Sequence, residues 1–292
     1  MTLLRAVFPA FTLSVDANGL PIVKYGRRFA GKAFSGYNPV TMSIIGLKIE
    51  RAASLAGLAE FDETGNELIP RVSVDAIARW LVDNSVDNGK FMVYHYDFPS
   101  SNYRLKAPWR SSLAEAFAGT FLAVYGMATG EDRYLEHGIK HLNSILVPVS
   151  EGGVKLDGSN TFLECVDNEK NRNWPVILNG HLYSMVSLFN AWKTLGMPEF
   201  RLAFDQALSE LRDMLPTYDG GFFTYYDDYR NPATLFYHRV HVHLLDYLYS
   251  LSNAAYLRTT AERWRSYTEG YNFALSLARE VLCFRIPYFP RK

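Results

Sequence analysis

Apolar residues recur at helical spacing in segments that follow one another in pairs, and this pairing constrains the fold more than any other feature of the chain. Leu113, Phe117, Phe121, Leu122 and Tyr125 mark one face of a helix over about 111–127. After the Thr129-Gly130 turn, Tyr134, Ile139, Leu142 and Leu146 mark a second over 131–146. Leu182, Met185, Val186, Phe189 and Trp192 face inward from a helix over 178–195, and 200–215 follows it. Val40, Ile44, Ile45, Leu47 and Ile49, then Val74, Ile77, Trp80 and Leu81, give two earlier helices. Val240, Leu244 and Leu245 give a later one, before a last helix near 259–280. Short turns make partners antiparallel, and the pairs are separated by long Gly-Gly or Pro-rich stretches, which in compact domains are usually functional. The expected architecture is mainly α: an incomplete α/α toroid with its long loops at one mouth. Residues 1–36 form a lead segment holding a β-hairpin, because Phe11, Leu13 and Val15 alternate before the Asp16–Gly19 turn. Residues 37–292 form the toroid.

One long stretch concentrates reactive side chains. Residues 218–247, YDGGFFTYYDDYRNPATLFYHRVHVHLLDY, read as a turn, an irregular aromatic segment and a helix from Phe236. Tyr237, His238 and His241 fall at the start of that helix, where a cleft recruits its groups. Thirty basic and thirty acidic residues cancel, which argues against a general nucleic-acid binder. Cys165 and Cys283 are the only cysteines, too few for a disulfide framework and not spaced for a metal. Arg5 and Pro9 break the apolar start, so it does not read as a secretory signal, and no run approaches the roughly 20 apolar residues of a membrane helix. A soluble, cytoplasmic protein without a membrane span is expected.

Several familiar sites fail on context. Gly26 to Ala33 has the GxxxxGK spacing of a phosphate loop, but Ala33 replaces the magnesium-binding hydroxyl and no strand leads directly into it. GxGxxG, GxSxG and HExxH are absent. His238 and His241 share a helix face while His243 points away, so a zinc site would lack a third ligand; no metal and no cofactor is expected. Tyrosines, a few carboxylates and cations remain, suited to acid–base work on a polar substrate. Glu164 lies between Phe162, Leu163, Cys165 and Val166, where desolvation would strengthen it as a base. An ordinary loop glutamate fits the sequence equally well. Tyr226 and Tyr237 read either as proton donors or as core aromatics with a wet tip.

The order of short motifs carries more. Tyr37-Asn-Pro-Val40, Tyr96-Asp-Phe-Pro99, Leu105-Lys-Ala-Pro-Trp109, Ser112-Leu-Ala-Glu115 and Glu151-Gly-Gly-Val154 are followed by Val176-Ile-Leu-Asn-Gly-His-Leu-Tyr183. Leu215-Pro-Thr-Tyr-Asp219, Tyr226-Asp227 and Tyr237-His238-x-x-His241 complete the series. From about Tyr37 to Ser252 the chain resembles the C-terminal catalytic region of D-glucuronyl C5-epimerases, which convert glucuronate to iduronate within heparosan-type polysaccharides. The resemblance implies a glucuronate-containing polysaccharide or oligosaccharide as partner and an isomerase as activity. It implies Tyr237 as catalytic tyrosine, Tyr226 as the tyrosine of the YD motif, and Glu164 as the catalytic glutamate, with Glu169 as fallback. The family's W-[YF]-E-E-Y-P segment reads FLECVDN here and keeps one glutamate. Removing the proton alpha to a carboxylate and returning one on the opposite face needs two flanking acid–base groups and donors or cations for the enediolate. Lys106, Arg110, Arg230 and His238 are candidates for the uronate carboxylate. Asn179 and His181 are candidates for sugar hydroxyls, and Tyr96, Trp109 and His241 complete the substrate-binding set. A uronate lyase, a hydrolase pairing Glu164 with Asp227, a non-catalytic glycan binder and a homodimer stay open.

Overall fold

The computed structural model describes residues 11–25, 33–169 and 173–269. Most of the Gly26–Ala33 stretch, Cys283 and the second half of the expected last helix lie outside the described residues.

Strands β1 (Phe11–Val15) and β2 (Pro21–Tyr25) form the expected hairpin, with Leu13 opposite Val23. Asp16 fixes its turn by accepting from the backbone N–H of Asn18 at 2.9 Å and of Leu20 at 2.8 Å. Gly19, at φ +80°, takes the left-handed conformation there. A third strand, β3 (Phe34–Gly36), adds antiparallel to β2; three residues are too few to show a period in the sequence.

Helices α1 (Pro39–Ile49), α2 (Val74–Asp83), α3 (Ser112–Thr129) and α4 (Asp132–Ser144) come first. After them come α5 (Leu178–Leu195), α6 (Pro198–Met214), α7 (Leu235–Ser252) and α8 (Ala255–Ser266). Side-chain caps start many of them: Asn38 accepts from the N–H of Val40 and Thr41, with Pro39 in the first turn, and Ser111 accepts from Ala114. The last helix among the described residues ends at Ser266, and the N–H groups of residues 267–269 turn back onto its final carbonyls.

Consecutive helices pair as α1–α2, α3–α4, α5–α6 and α7–α8, while α1–α3, α3–α5 and α5–α7 pack side by side. The odd-numbered helices form an inner layer, and α1, α3 and α5 are buried around much of their circumference; the even-numbered ones cover them and bury one stripe. The architecture is an incomplete α/α toroid with a small β element at the N-terminus. Close approach of α3 and α4 depends on glycine: a Cβ on Gly138 would lie 2.6 Å from the backbone nitrogen of Ala123. The same pair is tied by Glu115, whose carboxyl lies 2.6 Å from His141 Nδ1 and also accepts from the Tyr94 N–H. Burial pushes Glu115 well up and His141 down to about 3, so the pair carries one proton and no net charge.

Backbone contacts gather the loops at one end of the inner layer. The Ser112 N–H donates to the Leu163 carbonyl at 2.9 Å, at the start of α3, and the Leu178 N–H donates to the Tyr226 carbonyl at 3.1 Å, at the start of α5. Short strands β6 (Trp109–Arg110) and β7 (Val166–Asp167) pair antiparallel beside them. Numbered in chain order, β4 (Val86–Asp87) and β5 (Met92–Val93) form a separate ribbon.

Candidate active site

Glu164 follows a segment held from two sides, since Leu163 donates its N–H to Val154 and accepts from Ser112. Its side chain lies on the first turn of α5. The helix has no side-chain cap at Ile177. Instead, the Glu164 carboxylate accepts from Asn179 Nδ2 at 3.1 Å and lies against the Gly180 backbone, filling from a distant loop the place of a capping residue. Contact this close is possible only with glycine: a Cβ at position 180 would sit 2.5 Å from Glu164 Oε2 and 2.6 Å from its Cβ. Hydrogen bonds to the carboxylate favour the anion, but burial outweighs them and raises the Glu164 pKa to about 7. At neutral pH the group is therefore divided between acid and base.

One tyrosine meets it from another element, and a second packs on that tyrosine. Tyr226 Oη donates toward Glu164 Oε1 at 3.5 Å, long for a hydrogen bond. Its ring packs on that of Tyr237 with centroids 4.7 Å apart and a 58° tilt. Tyr237 is in the first turn of α7, where its N–H meets the cap Thr234 Oγ1 at 3.3 Å. Asp227 secures the Tyr226 loop: its buried carboxylate accepts from Tyr103 Oη at 2.6 Å, the Asn231 N–H at 3.0 Å and Asn231 Nδ2 at 2.8 Å. Burial pushes Asp227 upward in pKa and these three donors oppose it.

Other candidates are distributed unevenly around this centre. Asn179 touches Glu164 and keeps a buried Oδ1 without a partner. His181, on the same turn, is buried, accepts the Phe162 N–H at Nδ1 over 3.2 Å, and is driven down to about 4 by burial; it braces the Glu164 segment as a neutral ring. Tyr96 and Trp109 stack face to face at 4.0 Å, both buried, and the indole N–H donates to the Phe98 carbonyl. Burial raises the Tyr96 hydroxyl pKa strongly, and Glu164 adds a smaller effect, so the two lie in electrostatic reach. Arg110 is buried beyond that reach; its charge partners are Glu115 and Asp167. Lys106 is largely exposed and pairs at 2.7 Å with Glu169, which places the fallback glutamate outside the Glu164 cluster. Arg230 is exposed on the loop after Tyr229, at φ +62°.

His238 and His241 have partners of their own. Both are buried, with their Nδ1 atoms 3.0 and 3.1 Å from Thr224 Oγ1, and His238 Nε2 lies 3.0 Å from the Trp264 carbonyl. A carbonyl only accepts, so His238 carries its proton on Nε2 and takes the Thr224 hydroxyl proton at Nδ1; Thr224 then accepts from His241 Nδ1–H. These rings lock the 223–224 turn onto α7 and α8. A partner fourteen residues away decided their role. Sequence reasoning passed over Gly180 and Tyr183. A glycine in the first turn of an otherwise regular helix was the available signal of a close approach. Among the described residues no group of three His, Cys, Asp or Glu side chains could hold a metal ion, and no helix is long and apolar enough to cross a membrane.

A family model described as D-glucuronyl C5-epimerase C-terminus matches residues 87–266. A D-glucuronyl C5-epimerase of Caenorhabditis elegans is 27% identical over 217 residues, covering 67% of this chain and 35% of the relative. An uncharacterized protein of Methanocaldococcus jannaschii is 25% identical over 181 residues, covering 61% of this chain and 58% of its own. The chain thus spans between about a third and three-fifths of the curated relatives it matches. A GH76 alpha-mannanase of Bacteroides thetaiotaomicron superposes with a TM-score of 0.50 over 80% of this chain and 61% of its own, at 12% identity, a likeness of fold.

Proposed function

The chain belongs to the D-glucuronyl C5-epimerase C-terminus family, and we propose that it inverts carbon 5 of D-glucuronate residues in a polysaccharide or oligosaccharide to give L-iduronate. Glu164, as the carboxylate, takes the carbon-5 proton from one face of the ring. The electron pair left behind spreads into the carboxyl group as an enediolate. Tyr237 gives its hydroxyl proton to the opposite face, and the glutamic acid and phenolate return to their starting states by exchange with solvent. Tyr226, between them, relays or steadies charge at Glu164 Oε1.

One observation carries this reading: the Glu164 carboxylate, raised to about 7 by burial, lies 3.5 Å from the Tyr226 hydroxyl, and the Tyr226 ring packs on that of Tyr237. A base near the working pH combines availability with strength, and a positioned acid or base is worth roughly 10²–10⁴ in rate. The hydrolase alternative is less well supported, because Asp227 is fully engaged by Tyr103 and Asn231 and does not offer a second free carboxylate. Release of tritium from carbon-5-labelled glucuronate in an oligosaccharide, followed alongside ultraviolet absorbance, tests the proposal. Tritium release without an absorbing unsaturated product supports epimerisation; absorbance rising with release makes the protein a lyase.

A further inference from the structure

Tyr183 has no part in the mechanism above, yet it faces the same centre. It lies on α5 four residues after Asn179 and three after Gly180, on the stripe that seats Glu164. Helical side chains lean toward the N-terminus of their own helix, so a residue at this spacing covers the preceding turn. The ring is 5% exposed and meets Phe117 of α3 edge to face, with centroids 5.0 Å apart, which fixes its direction. Buried tyrosine hydroxyls usually find a partner. This one forms no hydrogen bond among the described residues and is not among the polar atoms sealed from solvent. Burial above all, and then the charges of Asp62, Tyr237 and Glu164, hold its pKa well above the usual value, so it stays a donor throughout the working range.

We propose that the Tyr183 hydroxyl donates a hydrogen bond to the carboxyl group of the bound uronate and strengthens it as the enediolate forms. This inference rests on the epimerase reading and deepens it. If Glu164 and Tyr237 flank carbon 5 from opposite faces, a hydroxyl on the turn of α5 that follows Asn179 and Gly180, leaning back over the turn that seats Glu164, approaches the ring edge beside that carbon. The exocyclic group that carbon 5 carries there is the carboxyl. Among the described residues Glu164 forms no ion pair, and Lys106 is tied to Glu169, so a neutral donor suits the developing charge. Preorganised donors of this kind are worth about 10²–10³ in kcat.

Tyr183→Phe keeps the ring packed on Phe117 and removes only the hydroxyl. The variant should retain the wild-type melting temperature while kcat for carbon-5 exchange falls about 100-fold with KM little changed, since the bond tightens in the transition state. Calorimetric binding of a glucuronate oligosaccharide and its carboxyl-reduced counterpart supplies a second readout. The wild type should prefer the uronate and the variant should lose that preference. Wild-type exchange and preference in Tyr183→Phe would overturn the assignment. If the wild type prefers the uronate but exchanges nothing, the epimerase reading falls and the loss of preference in the variant still supports Tyr183. A wild type without preference overturns the inference outright.

Discussion

Glu164→Gln should make the protein inactive and, at alkaline pH, more stable. Burial lifts the Glu164 pKa from 4.5 to about 7, so the native state holds this proton more tightly than the unfolded chain does. Stability from this group is complete below pH 4.5, declines as pH rises and is gone just above pH 7. The shift corresponds to about 3 kcal/mol at 1.36 kcal/mol per pKa unit, trimmed toward about 2 by solvent at the carboxylate's exposed edge. Glutamine keeps an oxygen for Asn179 Nδ2 but never ionises. Urea unfolding of both proteins at about pH 4.5 and pH 8 isolates the effect, because other titrating groups cancel in the difference. The variant should gain about 2–3 kcal/mol relative to wild type between the two pH values. An unchanged difference would mean that Glu164 titrates as an ordinary surface carboxylate, and the argument for a poised base would be lost.

Three further outcomes follow from the same geometry. Gly180→Ala places a Cβ 2.5 Å from Glu164 Oε2, so the carboxylate must move; carbon-5 exchange should fall more than about tenfold, since small displacements of a catalytic group are costly. Its net destabilisation should stay near 1–2 kcal/mol in a urea titration, because overpacking is partly offset by the helix preference of alanine. Asp227→Asn weakens acceptance from Tyr103 and Asn231 and should cost about 2 kcal/mol in the same assay while loosening the Tyr226 loop. In steady-state kinetics, kcat/KM for exchange should rise about tenfold per pH unit below pH 7 and level off above it, as Glu164 ionises.

What could be read from the chain was whatever its neighbours in sequence decide. The helix over 178–195 has the bounds its period gave, and Asn38-Pro39 begins α1 as capping chemistry requires. The apolar setting of Glu164 pointed to a desolvated base and the structure supplies the desolvation, by seating the group on α5. Contacts between distant segments were not legible. The hydrogen bonds of His238 and His241 to Thr224, and of His238 to the Trp264 carbonyl, join segments that the sequence leaves far apart. Tyr183 reads as one more core aromatic, because only the docking of the 162–164 segment shows which face of α5 meets Glu164. Strand β3 is paired by β2, and its three residues carry no pattern of their own.

The central claim is that Glu164 and Tyr237 exchange the carbon-5 proton across the ring of a glucuronate residue. Proton NMR of a glucuronate polysaccharide such as heparosan, incubated in deuterium oxide with the wild type, Glu164→Gln and Tyr237→Phe, tests it most directly. Deuterium at carbon 5 and new iduronate signals should appear with the wild type, and neither with the two variants. Deuterium incorporated at the wild-type rate by either variant, in folded protein, would contradict it.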